Sequence, residues 1–203
     1  MLGAGRFFIA VCFALVLAAC DRGPSLPQLE PQDVILAFGD SLTHGTGAGE
    51  AESYPAVLAR LTGRSVINAG VPGDTTADGL ERLPDLLQQH RPRVVLLCLG
   101  GNDMLRKQPS ETIESNLRQL VQAIRTSGAE AVLIAVPEPR LFGGTPDFYQ
   151  RIAEDMQLPL EAEIFDDVLK DNRLKSDPIH ANAAGYRLVA ERLAEFLRES
   201  GAL

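Results

Sequence analysis

The 203-residue chain has no tryptophan, three histidines, three cysteines and fewer basic than acidic side chains, 19 against 27. Each scarcity excludes something. Cys12 lies within an apolar leader and Cys20 at its end, which leaves Cys98 as the one thiol of the remaining chain. A disulfide framework is excluded within the mature monomer only if Cys20 is acylated. Cys98 stands in the uncharged run VVLLCLG, where a thiol packs as a small buried residue rather than serving as a nucleophile. No His-Glu-x-x-His and no clustered Cys/His pattern occurs, so no metal is expected. Glycine-rich phosphate loops are missing as well, and no cofactor is expected. The formal net charge of −8 without a basic patch argues against nucleic acid as a partner. The longest apolar run, Phe7 to Ala19, holds 13 residues, too few to span a bilayer as a helix. There is no internal repeat and no low-complexity tract.

That run, FFIAVCFALVLAA, follows the single positive charge of Arg6 and fits the apolar region of a secretory signal. It ends in Leu17-Ala18-Ala19-Cys20, which resembles the bacterial lipobox. The resemblance implies a signal peptide over residues 1–19, cut before Cys20, and acyl chains on Cys20 as the lipid attachment. The protein is then expected in the bacterial cell envelope, lipid-anchored and facing the periplasm. Asp21 resembles a retention signal for the inner membrane. Residues 21–32, DRGPSLPQLEPQ, read as a polar, proline-rich tether. Residues 33–203 read as one domain, long enough for a proper core. Losing residues 1–19 removes Arg6 and no acid, for a mature charge of −9.

Within the domain, short apolar runs alternate with helix-like stretches. The runs are Val34–Phe38, Ser65–Asn68, Arg93–Leu99, Ala131–Val136 and, more weakly, Leu158–Ala162. They read as strands buried on both faces. Helices are expected over Tyr54–Leu61 and over Thr76–His90, kinked at Pro84. A third covers Glu111–Ser127, with Ile113, Leu117, Leu120, Val121 and Ile124 on one face, Ser110 as cap and Gly128 as stop. Thr145-Pro146 opens another, with proline in the first turn, and Asn182 caps a last helix through Arg198. Strand and helix in alternation predict an α/β fold: a single flavodoxin-like three-layer domain with a five-stranded parallel sheet in the order 2-1-3-4-5. In such sheets ligands bind beyond the carboxyl ends of the strands, so the loops there are the ones to search.

Four of those loops carry chemistry. Gly39-Asp40-Ser41-Leu42 follows the first strand and presents a serine hydroxyl near backbone N–H groups that can hold an oxyanion. A bare Gly-Asp-Ser would otherwise be a turn or cap. Asn68 to Asp74 follows the second strand, and Gly70 and Gly73 bracket a tight turn whose N–H can face a site, or simply close a loop. Gly100-Gly101-Asn102-Asp103 follows the third; Asn102 can donate to a developing oxyanion, whereas Asp103 is expected to cap its own turn. Asp177-Pro178-Ile179-His180 precedes the last helix. An Asp and a His three apart on one loop can meet, the carboxylate holding the imidazole in the tautomer that takes a serine proton. His44, three residues beyond Ser41, is the weaker candidate for the base, since its one nearby carboxylate, Asp40, is expected to tie down its own turn. His90 closes a helix and faces its carbonyl end. The elbow Gly-x-Ser-x-Gly of the rival hydrolase architecture is absent.

Taken in order, Gly-Asp-Ser-Leu, then Gly, then Gly-Gly-Asn-Asp, then Asp-x-x-His resemble the SGNH (GDSL) hydrolase family over Val34 to Leu197. The stretches GDSLTHGTGA, AGVPGDTT, GLERLPDLLQQHRPRVVLLCLGGNDMLR and DPIHANAAGY are similar to its bacterial exported arylesterases, acyl-CoA thioesterases and lysophospholipases. The resemblance implies Ser41 as nucleophile, His180 as base and acid, and Asp177 as its orienting partner. It implies an oxyanion hole made by the Ser41 and Gly73 N–H groups and the Asn102 side chain. The region between Val136 and the fifth strand is shorter than the family pattern, and Ala181 stands where the family often has proline. The expected activity is hydrolysis of acyl esters or thioesters, including lysolipids, through an acyl-enzyme. The alternatives are a carbohydrate O-deacetylase of the cell envelope and a non-catalytic lipid-binding lipoprotein.

Overall fold

The computed structural model describes residues 24–139 and 144–203. Cys20 and the leader before it lie outside the described residues. The sheet consists of β1 (Val34–Gly39), β2 (Ser65–Gly70), β3 (Val94–Cys98), β4 (Glu130–Ile134) and β5 (Leu160–Glu161). All pairs are parallel and the order is β2-β1-β3-β4-β5, as the alternation predicted. Ile35 to Phe38 of β1 and all of β3 are fully buried, which is why these strands read as unbroken apolar runs. The edges differ from expectation. β2 is half-exposed along its length because it pairs only with β1, and β5 shrinks to two residues behind Pro159.

Helices α1 (Ser41–His44), α2 (Tyr54–Thr62), α3 (Thr76–His90), α4 (Gly101–Leu105), α5 (Ser110–Thr126), α6 (Asp147–Met156), α7 (Ile164–Lys170) and α8 (Ala183–Glu199) complete the fold. α2 and α8 pack together, as do α3 and α5, and these pairs form the two outer layers. α5 turns Ile113, Leu117, Leu120, Val121 and Ile124 inward, the stripe its 3.6-residue period demands. Three helix starts are shifted or new. Pro109, not Ser110, occupies the cap of α5, and Pro146 is the cap of α6 rather than part of its first turn. Residues 164–170, too short to show a period, form α7 under a cap from the buried Glu161, whose carboxylate accepts from the Glu163 and Ile164 N–H groups. Asn182 caps α8 as expected, accepting from Ala184 and Gly185. α3 continues through the exposed Pro84, beyond which the helix holds to His90.

The packed region begins before Asp33. Leu26 and Leu29 are buried against the core, and their N–H groups donate to the Ser200 and Ala202 carbonyls. The tether expected over residues 21–32 is therefore docked from Leu26 onward. Two apolar side chains in an otherwise polar stretch are what fasten it. This contact lies at the far end of α8 from His180, about 25 Å along a 17-residue helix.

Candidate active site

The carboxyl ends of β1, β2 and β3 converge at the point where the sheet order reverses, and three of the four loops that carry chemistry leave from there. Gly39 ends β1 beneath a sharp turn. A Cβ there would run into the Thr43 side chain and the Cys98 carbonyl, so only glycine lets the chain turn so closely. The next residue, Asp40, caps α1 by accepting from the Leu42 N–H at 3.0 Å. This places Ser41 as the first helical residue, where its N–H is one of the groups a helix leaves unsatisfied. Gly73 sits in the β2–α3 loop at φ +90°, with open space where a Cβ would be, so backbone conformation rather than crowding calls for glycine. Among the described residues neither the Ser41 nor the Gly73 N–H is engaged by another group.

The fourth loop comes from the far end of the chain. Lys175 and Ala181 form an isolated antiparallel bridge, and Ser176 N–H donates to the His180 carbonyl, so residues 175–181 make a small closed loop. Within it one oxygen of Asp177 accepts from the N–H groups of both Ile179 and His180, each at 2.9 Å. The other oxygen is left for the ring: His180 Nδ1 lies 2.7 Å away. The spacing of three has a local cause. The turn folds the carboxylate back onto its own loop and fixes it beside the imidazole. Burial pushes the Asp177 carboxyl up, but the bonds from the His180 ring and the two N–H groups outweigh it and hold it below its ordinary value. Across the site, His180 Nε2 lies 3.0 Å from Ser41 Oγ. A hydroxyl, an imidazole and a carboxylate 139 residues apart at their extremes thus stand in one hydrogen-bonded row.

Asn102 approaches from the first turn of α4. Its Nδ2 donates to the Asp74 carbonyl at 2.9 Å and, more weakly, to the second Asp40 oxygen at 3.3 Å. Asp40 is 2% exposed. Burial raises its carboxyl from 3.8 to about 7, while the Leu42 N–H and His180 work against that rise and Asp74 and Asp103 add to it. Ser41, Gly73, Asn102 and His180 all line one cavity of about 630 Å³, whose walls include Leu105 and Val136. A substrate carbonyl could lie there between the hydroxyl and the three N–H donors.

His44 is exposed and its side chain takes no part in the row, while Asp40 holds its own turn. Cys98 is fully buried, and burial pushes its thiol well above the ordinary value, as befits a core residue. Asp103 does not cap the turn it begins. It reaches across to the start of α3, accepting from the Thr76 N–H and hydroxyl. The contact of Asp40 with Asn102 and the contacts of two arginines leave no mark in the sequence: Arg106 donates to the Gly73 carbonyl, and Arg82 to Asp74 and Gly39. No local pattern marks such contacts, because they join loops that only the fold brings together. Among the described residues no group of three or more His, Cys, Asp or Glu side chains is placed to hold a metal ion.

A parallel sheet of this order, with a serine after the first strand and an asparagine after the third at its carboxyl rim, defines a hydrolase of the SGNH class. The chain belongs to the GDSL-like lipase/acylhydrolase family, whose pattern matches residues 37–188. It is 37% identical to thioesterase 1/protease 1/lysophospholipase L1 of Escherichia coli K12 over 175 residues, which is 82% of this chain and 84% of that protein. It is 34% identical to an arylesterase of Vibrio mimicus over 195 residues, 91% of this chain and 96% of that one. Among solved structures, that of TesA superposes with a TM-score of 0.76 at 28% identity, covering 83% of this chain and 99% of the other.

Proposed function

We propose that the protein hydrolyses acyl esters and thioesters through an acyl-enzyme, with Ser41 as nucleophile, His180 as base and acid, and Asp177 as the group that orients His180. The observation that carries this reading is the row Ser41 Oγ–His180 Nε2 at 3.0 Å and His180 Nδ1–Asp177 at 2.7 Å, opening on the cavity. Asp177 keeps Nδ1 protonated and Nε2 free to accept. As the Ser41 oxygen attacks the acyl carbon, Nε2 takes its proton, and charge develops on the carbonyl oxygen. The Ser41 and Gly73 N–H groups and the Asn102 amide meet that charge. The longer contact of Asn102 with Asp40 is the one the charged oxygen displaces. Collapse expels the alcohol or thiol, which takes the proton from His180, and leaves acyl-Ser41. Water, deprotonated by the same imidazole, then releases the acid and restores the hydroxyl.

The relatives named thioesterase, lysophospholipase and arylesterase support a range of oxygen and sulfur esters. The apolar Leu105 and Val136 in the cavity wall favour an acyl chain over a sugar, which sets the O-deacetylase reading second. Rates on chromogenic esters of rising acyl length, run beside the matching thioesters, test this. Turnover beyond acetyl is expected; acetyl-only turnover would favour the deacetylase, and bound fatty acid without turnover the lipid binder. We further infer that the protein is exported and held on a bacterial membrane by acyl chains on Cys20, facing the periplasm. The lipobox-like Leu17-Ala18-Ala19-Cys20 supports this, as does the short stretch between Cys20 and the docked Leu26.

A further inference from the structure

Arg82 lies on α3, outside the Ser41–His180–Asp177 row, yet it makes three contacts that all converge on the loops around Ser41. Its Nε donates to the Asp74 carboxylate at 2.5 Å. Its Nη2 donates to the Gly39 carbonyl at 2.7 Å. Its guanidinium lies 4.1 Å over the ring of the buried Phe38. Phe38 and Gly39 are the last residues of β1, three and two positions before Ser41, and Asp74 directly follows Gly73. One planar group therefore joins the two backbone segments that bear the Ser41 and Gly73 N–H groups. The same Gly39 carbonyl also accepts from the Val71 N–H, and the Asp74 carbonyl accepts from Asn102, so all three donors hang on this one junction.

The chemistry of the group matches the geometry. A guanidinium offers several donors in a rigid fork and a flat face for an aromatic ring, whereas a lysine ammonium is a point charge that cannot serve two acceptors and a ring at fixed angles. The Arg82 side chain is 23% exposed and Asp74 12%, so the pair stands at the edge of solvent, where an ion pair adds little to stability by itself. Its geometric consequence is larger. A shift of about 1 Å in a donor is enough to cost up to about 10²-fold in rate.

We propose that Arg82 is a positioning residue of the oxyanion hole, setting the spacing of the Ser41 and Gly73 N–H groups by clamping Asp74 to the end of β1. This rests on the reading of Ser41, Gly73 and Asn102 as that hole. The test uses the full chain and a chromogenic acyl ester. Asn102→Ala serves as the check on the hole itself and should lose about 10²–10³-fold in kcat; if it does not, the hole reading fails whatever Arg82 does. Arg82→Met should lose about 10- to 10²-fold in kcat with KM changed by less than about threefold, and Arg82→Lys should fall between it and the wild type. In Arg82→Ala, millimolar guanidinium should restore part of the lost kcat and leave the wild type unaffected. Arg82→Met should cost less in the Asn102→Ala background than in the wild type, because both act on one hole. A wild-type kcat in Arg82→Met would overturn the proposal. So would a loss that adds fully to that of Asn102→Ala and does not respond to guanidinium. If Arg82→Met does not fold, the lysine variant and the guanidinium response decide the matter in the same way.

Discussion

The carboxylate of Asp103 accepts two hydrogen bonds from Thr76, at 2.9 Å from its N–H and 2.7 Å from its hydroxyl. Both residues are buried, and the Thr76 hydroxyl accepts in turn from Asn116. An acid on α4 thus satisfies the first turn of α3, where a negative charge is favoured by the helix dipole. The same two bonds hold Asp103, the neighbour of Asn102, in place. Asp103→Ala would leave a buried N–H without its acceptor, a loss of about 1–3 kcal/mol. We expect its melting temperature to fall by on the order of 10 °C, with Asp103→Asn falling less because it keeps one acceptor. Calorimetry of both variants checks this; an unchanged midpoint in Asp103→Ala would show that the bonds contribute nothing net.

Asp40 predicts a pH dependence on the neutral side. Its folded value of about 7 stands above the ordinary 3.8, chiefly because burial disfavours the charged form. Such a group favours the fold fully below its unfolded value, and the contribution is lost as pH rises through the folded one. At 1.36 kcal/mol per unit, the span amounts to about 4 kcal/mol at most. Asp78, Glu114 and Asp177 have the opposite sign: each is held below its ordinary value, so what it contributes is present above about pH 4 and lost on acidification. Urea unfolding at about pH 5 and about pH 8 should show the wild type weaker at the higher pH. Asp40→Asn, which retains an acceptor for the Leu42 N–H, should lessen that difference. Equal pH slopes in the two proteins would show that Asp40 does not set the dependence.

Much of this was legible before the structure. The parallel sheet follows from the alternation of apolar runs and helical stripes, because an unbroken run such as Val94–Cys98 can be stable only with both faces covered, and the order 2-1-3-4-5 is the one expected of a flavodoxin-like fold with five strands. The row of Ser41, His180 and Asp177 was legible because each residue lies in a loop at the carboxyl rim, and because Asp and His three apart share one turn. What remained hidden depends on contacts across the fold. The partner of Asp103 is 27 residues away, and Gly39 meets Arg82 across 43. The docking of Leu26 and Leu29 was masked by the prolines and polar residues around them, which resemble a tether in composition. The half-exposure of β2 reflects its edge position, which strand pattern alone does not reveal for so short a run.

The anchoring proposal has its own test. Acylated Cys20 would carry more than one chain, enough for stable attachment where a single chain is marginal. Cys20→Ala should abolish incorporation of labelled fatty acid and the normal processing of the precursor. Wild-type protein that takes up no label and fractionates like the variant would remove the basis for the anchor.

The members of the proposed row should act as a unit, so their losses should not add. Ser41→Ala and His180→Ala are expected to be similarly inactive, and the double variant scarcely worse. Asp177→Asn should be severely impaired, because an amide can favour the wrong imidazole tautomer. His44→Ala should retain most of its rate, since its side chain is exposed and stands outside the row. Steady-state kinetics of the five proteins on one ester checks these expectations together.

The most direct measurement is covalent labelling by an organophosphonate, read by peptide mass spectrometry alongside residual activity. The serine oxygen attacks phosphorus as it would a carbonyl carbon, and needs His180 to take its proton. One label per chain is expected, on Ser41, with activity lost in step, labelling strongly slowed in His180→Ala and unchanged in His44→Ala. A label on any other residue, or His180→Ala labelling at the wild-type rate while His44→Ala resists, would contradict this assignment.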